Sequence, residues 1–219
     1  MKCQTATISQ LGTSALLFEA PGEMELHVQQ RIWMLAREAQ AWPEVREAVP
    51  GMNNLMLSFS RPPRRLGELE TRLHAAWDAA RPLPLDGRII ELPVVYGGEA
   101  GPHMADVVAH TGLSVDEIVE RHCAPLYPVY ALGSHPGYCY LGGMDPRIAT
   151  PRRKVPVVSI PGGAVSIGGA QTGVSASAGP SGWNTIGSTA MHFFDPAQDP
   201  PALVQPGDSI RFRAEKVIR

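Results

Sequence analysis

The sequence predicts a chain in two parts: a small α+β domain over residues 1–85 and an all-β barrel domain over residues 86–219. Three observations carry that reading. In the first part, strand-like and helix-like periods alternate. In the second, twelve of the 22 glycines fall between residues 133 and 187, among short β-branched runs. Between the parts stand Pro82, Pro84 and the Asp86-Gly87 pair, a cluster that interrupts regular structure.

The elements follow in order. Residues 3–9 and 14–19 read as two strands divided by Gly12. From Glu23 to about Ala41 the period becomes 3.6, with Met24, Val28, Ile32, Leu35 and Ala39 on one face and Glu25, Gln29 and Glu38 elsewhere. Val45–Val49 and Leu55–Phe59 are short strands around the turn cluster PGMNN. A second helix at about 64–80 carries the stripe Leu66, Leu69, Leu73 and Trp77. The order is ββαββα, helices laid on an antiparallel sheet. Past the boundary, RIIELPVVY reads as a strand and two short helices follow. The second of them opens on Ser114 with Glu117 three residues on, the spacing of a capping box. Beyond Pro125 no helical period remains. VPVVSI and GAVSIG are short strands with glycine at their ends, and PGDSIRF is a turn into a closing strand. Short strands with glycine at corners where a Cβ would clash describe a small closed or half-closed barrel.

Composition excludes several classes. Hydrophobic residues make up 44% of the 219, enough for a core. The net charge is −2, and no basic stripe for nucleic acid stands out apart from Arg152, Arg153 and Lys154. The N-terminal segment lacks the apolar stretch of a secretory signal, and no run is long enough to span a membrane. Cys3, Cys123 and Cys139 are widely spaced and odd in number, as in a cytoplasmic protein with reduced thiols. No Walker-type loop is present. GGAVSIGGAQTG (162–173) is glycine-rich, but it has no lysine and no following helix, so barrel corners explain it better than a nucleotide cradle. No G-x-S-x-G elbow occurs. His103 and His110 bracket a short helix without a third ligand, so no metal site is expected.

The chemistry gathers in GSHPGYCYLGGMDPRIATPRRKVP (133–156). His135 sits in a segment that must turn, where an imidazole is either presented for proton transfer or is an ordinary loop histidine. Tyr138 and Tyr140 are two apart and can share a face as an aromatic wall, with core packing the alternative for one of them. Cys139, pointing the other way, reads as a small buried hydrophobe. Arg152 and Arg153 can hold a carboxylate or phosphate in forked hydrogen bonds, or with Lys154 form a solvated charge run. Gln171-Thr172-Gly173 and Ser181-Gly182-Trp183 offer neutral donors and an apolar plate, which suits a small planar amide or lactam.

Five ordered motifs carry a family resemblance: PVVYGGEAGP (93–102), HPGYCYLGGMDPRIATPRR (135–153), IPGGAVSIGGAQTG (160–173), SGWNTIGST (181–189) and LVQPGDSIRF (203–212). With RIWMLAREAQAWPEVREAVPGMNNLML in the first half, they resemble the PxpB/KipI family, also called allophanate hydrolase subunit 1 or carboxyltransferase subdomains C and D. The resemblance implies a cyclophilin-like barrel. It also implies pairing with a PxpC-like subunit and, together with a PxpA-like subunit, ATP-dependent opening of the 5-oxoproline lactam, with Mg2+ accompanying ATP. In that setting Arg152 and Arg153 would meet phosphoryl charge, and His135 would move a proton. His103, Tyr138, Tyr140, Gln171, Thr172 and Trp183 would contact substrate. Two other roles belong to similar proteins: a KipI-like inhibitor of a sensor histidine kinase, and a carboxyltransferase-like module of a urea-carboxylase-type system.

The chain departs from the family pattern inside these motifs. Ser134 and Tyr138 stand where phenylalanines are usual. His103 replaces an aspartate, which implies a reversed charge. Ser175-Ala176 follow QTGV in place of the usual tyrosine and proline, and Ser181 interrupts a P-G-G-W pattern. A pocket lined by these motifs would differ in volume and polarity, so a related or larger cyclic amide is an alternative substrate.

Overall fold

The computed structural model describes residues 5–82 and 87–219. Cys3, the start of the first expected strand, and Pro84 and Asp86 of the boundary cluster lie outside them. The chain divides into two compact units, Met1–Leu85 and Asp86–Arg219.

The first unit runs β1 (Thr7–Gln10), β2 (Ala15–Glu19), α1 (Leu26–Gln40), β3 (Val45–Pro50), β4 (Asn54–Phe59) and α2 (Leu66–Ala79). The sheet order is β1-β2-β4-β3, all antiparallel. Val28, Ile32 and Leu35 of α1 and Leu69, Leu73 and Trp77 of α2 share one core with Leu16, Phe18, Leu55 and Leu57 of the sheet. Each fully buried Leu or Ile there contributes about 1.5–3 kcal/mol. Two positions differ from the sequence reading. Met24 precedes the helix and is exposed. Gln29, expected off the apolar face, is fully buried. Its amide explains why: Nε2 donates to Gly51 O at 2.9 Å and Oε1 accepts from Asn53 N at 2.9 Å, which holds the β3–β4 turn against α1.

The second unit contains β5 (Ile89–Gly97), α3 (Met104–Thr111), α4 (Val115–Cys123), β6 (Tyr127–Leu132) and β7 (Cys139–Leu141). It continues with β8 (Val157–Ile160), β9 (Ala164–Gly168), β10 (Gln171–Val174), β11 (Gly179–Ser181), β12 (Asn184–Ser188) and β13 (Ser209–Ile218). Seven strands close a barrel in the order β10-β7-β6-β13-β5-β12-β9, while β8 and β11 form a separate two-stranded ribbon. The long β5–β13 pair is parallel and the other paired strands are antiparallel. Leu92, Val94, Val129, Val165, Ile167, Ile186 and Phe212 are buried in the unit's core. The capping box forms at α4: Ser114 Oγ accepts from Glu117 N, and Glu117 Oε2 accepts from Ser114 N. Cys139 is fully buried, and burial pushes its thiol up to about 12.

Candidate functional site

Residues of the β6–β7 turn, of β7, of the segments before β8 and after β10, and of β11 with the two residues after it line one groove. The turn after β6 brings Ser134 and His135, with Ser134 in the left-handed region at φ 63°. A non-glycine residue there stores strain and is held by its surroundings. His135 N donates to Gly133 O at 2.7 Å, and Tyr138 N donates back to His135 O at 3.1 Å. This tight turn delivers Tyr138 to the edge of β7, two residues before Tyr140.

The result is a groove of about 250 Å3. His135, Tyr138, Tyr140 and Trp183 make an aromatic wall: the His135 and Tyr138 rings are 5.2 Å apart, Tyr138 and Tyr140 4.9 Å, and Tyr138 and Trp183 6.3 Å. Arg152 lies over Trp183, its guanidinium carbon 5.7 Å from the ring. Ser134, Ser175, Pro180, Ser181 and Gly182 complete the lining. A second hollow of about 240 Å3 shares Ser134, His135, Ser175 and Pro180 and extends along the ribbon. Glycines make room for the wall. A Cβ on Gly168 would come within 2.5 Å of the Trp183 ring, and one on Gly173 within 2.8 Å of the Tyr138 hydroxyl.

The groove's polar groups are incompletely satisfied. His135 Nε2 is withdrawn from solvent and bonds nothing among the described residues. A buried polar atom without a protein partner is one that a bound water or a ligand would satisfy. Burial lowers the His135 pKa, so the ring is neutral at pH 7. Burial raises the Tyr138 hydroxyl, which therefore stays protonated as a donor. Arg152 is exposed and forms no ion pair among the described residues. No carboxylate is present among the described residues that line the groove.

The structure brings His135, Tyr138, Tyr140, Arg152 and Trp183 together and leaves out four other residues singled out in the sequence. Thr172 is fully buried, and its hydroxyl donates to Ser166 O at 3.1 Å and meets His122 Nε2 at 2.9 Å. It cannot also offer a donor to a ligand at the groove. Gln171 is half-buried at the head of β10, outside the groove's lining. Arg153 is engaged in an ion pair with Asp106. His103 is the N-cap of α3, and its Nδ1 accepts from Thr185 N at 2.9 Å. Burial lowers its pKa, with Arg153 pushing the same way and Asp106 opposing. His103 is therefore neutral, and the expected charge reversal does not occur. An imidazole nitrogen accepts the same backbone N–H that a carboxylate oxygen would.

Sequence reading missed His122. It is fully buried, bonds Tyr96 Oη at 2.8 Å through Nδ1 and Thr172 through Nε2, and burial takes its pKa down to about 3. Since the Thr172 proton goes to Ser166 O, His122 Nε2–H donates to Thr172 and Nδ1 accepts from Tyr96. The signal was its spacing: Val115, Ile118, Val119 and His122 form one helical stripe.

Other hollows are less suited to chemistry. One of about 410 Å3 beside α3 is mostly apolar, and one of about 310 Å3 beside α2 has Arg65 paired with Glu68 and Arg72 with Glu44.

Comparison with known proteins gives consistent results. The chain matches the carboxyltransferase domain family, subdomain C and D, over residues 6–204. It is 43% identical to the B-type 5-oxoprolinase subunit of Escherichia coli O157:H7, over 97% of this chain and 98% of that one. It is 37% identical to the B-type 5-oxoprolinase subunit of Haemophilus influenzae, over 96% and 98%. Among solved structures, that of TTHA0988 superposes with a TM-score of 0.77 at 30% identity, covering 92% of this chain. The chain spans only 40% of that longer protein. On a family match across most of its length and relatives of nearly equal extent, the chain belongs to the carboxyltransferase subdomain C and D family, the PxpB family.

Proposed function

We propose that this chain is the B-type component of a 5-oxoprolinase-type complex, which opens a lactam by ATP-dependent hydrolysis with PxpC-like and PxpA-like partners in the cytoplasm. One observation carries the reading: relatives named as B-type subunits of 5-oxoprolinase match at 43% and 37% identity over nearly their entire length. The groove is compatible with it. Unpaired Arg152 suits phosphoryl charge, and the hydroxyls of Ser134 and Ser181 suit its oxygens. The same lining has no carboxylate for Mg2+, which takes oxygen ligands.

In that reaction ATP would donate its terminal phosphoryl group to the lactam oxygen with release of ADP; one water would add at the activated carbon as the ring C–N bond breaks and the nitrogen takes up a proton, and a second would release phosphate from the acyl phosphate. The chain's own residues would then do three things. Tyr138, Tyr140 and Trp183 hold a small flat ring by its faces and edges. Arg152 balances negative charge as it develops. Neutral His135, in the groove's lining, would serve as the proton acceptor. With only these groups in an open groove, the chain alone is expected to be inactive.

The test is to co-express the chain with the PxpC-like and PxpA-like proteins of the same genome and to follow ADP release with and without 5-oxoproline. Release that needs all three chains and the lactam is the expected result. A stable complex that ignores 5-oxoproline but turns over a larger cyclic amide would move the substrate assignment. Absence of any complex would overturn the reading.

A further inference from the structure

We propose that the β8–β11 ribbon is the docking surface for a partner subunit whose contact face is apolar with an acidic rim, and that this partner brings to the groove the carboxylate its lining lacks. The inference rests on the reading of the chain as a complex subunit.

Residues two apart on a strand share a face. Along β8, that face is buried at Ile160, 6% exposed, yet bare at Val158, 87% exposed. Val155, just before the strand, is 77% exposed. Isolated apolar residues on a surface are ordinary, but Val158 stands on a short strand with an unpaired outer edge among the described residues, and Val155 is in the bend that leads into it. Among the described residues, β8 and β11 pair only with each other. An unpaired strand edge that carries an uncovered apolar side chain invites pairing with another chain.

Charge says what kind of chain. Arg153 is neutralised by Asp106, whereas Arg152 and Lys154, which precede the valines in the chain, have no ion pair among the described residues. With Arg152 turned to the groove, the unpaired Lys154 beside an apolar surface calls for a carboxylate at the rim of what covers it. Position says what docking achieves. Pro180 and Ser181 of β11 line the groove, so a partner seated on the ribbon borders the groove directly. Its acidic rim then faces Lys154, at the border of a lining that itself has no carboxylate.

The test measures, by calorimetry, the affinity of the chain for the PxpC-like subunit, for wild type and for the double variant Val155→Asp with Val158→Asp. Both valines are exposed, so the variant is expected to fold with an unchanged melting temperature. Affinity should fall a hundredfold or more. Lys154→Glu should weaken binding several-fold and flatten its salt dependence, while Val49→Asp in the first unit should change nothing. A photo-crosslinking residue at position 158 should label a PxpC-like peptide that contains Asp or Glu. Wild-type affinity in the double variant, or a crosslink to a peptide without an acid, overturns the docking proposal and leaves the subunit reading intact. An isolated wild-type dimer that Val158→Asp turns into a monomer also overturns it, because a second copy then covers the ribbon. Wild-type chain that binds no PxpC-like subunit removes the subunit reading and this proposal with it.

Discussion

His122 and His135 belong to the same unit and both sit among tyrosines, but their surroundings differ in one respect. His122 has both ring nitrogens bonded, to Tyr96 at 2.8 Å and to Thr172 at 2.9 Å, and no exposed surface. His135 has an Nε2 without a partner and lines an open groove. Burial lowers the pKa of both. A lowered pKa therefore does not separate the two histidines; the hydrogen-bond inventory does. A saturated group stabilises the fold, whereas a buried unsaturated one calls for an explanation, which for His135 is the proposed ligand.

Breaking the saturated cluster should have the largest effect. His122→Ala leaves a cavity and strands the hydroxyls of Tyr96 and Thr172, so urea unfolding should show a loss of about 3–5 kcal/mol. A loss under about 1 kcal/mol would mean that the cluster is not closed in solution. Thr172→Val keeps the shape and removes only the hydroxyl, leaving the His122 N–H unpaired in the core, at a cost of about 1–3 kcal/mol.

Acid should reproduce part of this. The His122 pKa is about 3 in the fold, against an ordinary value of about 6.5 in the unfolded chain. The unfolded state therefore takes up the proton first. The stability tied to neutral His122 is complete above about pH 6.5 and is lost as pH falls, by up to about 1.4 kcal/mol per unit. His103 and His135 are shifted the same way and add to the slope. Urea titrations between about pH 7 and pH 5, where carboxylates scarcely titrate, should show this decline, and His122→Gln should flatten it. A profile with no slope would contradict the assignment of neutral His122.

Gly168→Ala sharpens the comparison at the groove. The added methyl group meets the Trp183 ring, so the aromatic wall must shift, with a cost of about 1–3 kcal/mol and a loss of lactam-dependent turnover in the complex. Normal turnover would show that Trp183 is not part of the site.

Much of this organisation can be read from the sequence, because periodicity and turn residues are local. The ββαββα order and the glycine-cornered strands follow from residues within a few positions of one another. The groove's main chemical groups are likewise crowded into residues 133–156, so His135, Tyr138, Tyr140 and Arg152 could be singled out together. What could not be read depends on distant pairing. Thr172 looks like a donor among glycines, but its direction is set by β10 packing beside β9 and by His122, 50 residues earlier. His103 looks like a changed charge until Thr185, 82 residues later, is seen donating to it. Gln29 reads as polar surface until the β3–β4 turn closes on its amide.

The smallest expected change in stability belongs to His135→Ala, within about 0.5 kcal/mol, since that ring leaves Nε2 unbonded. The same variant tests the groove's role most directly. Wild type and His135→Ala should be assembled with the PxpC-like and PxpA-like subunits and compared for lactam-stimulated ADP release at pH 7, with melting temperatures taken on the same samples. An unchanged melting temperature and a rate lower by about a hundredfold or more are expected. A wild-type rate from the variant complex would contradict the claim that the unsaturated groove is where the chemistry occurs.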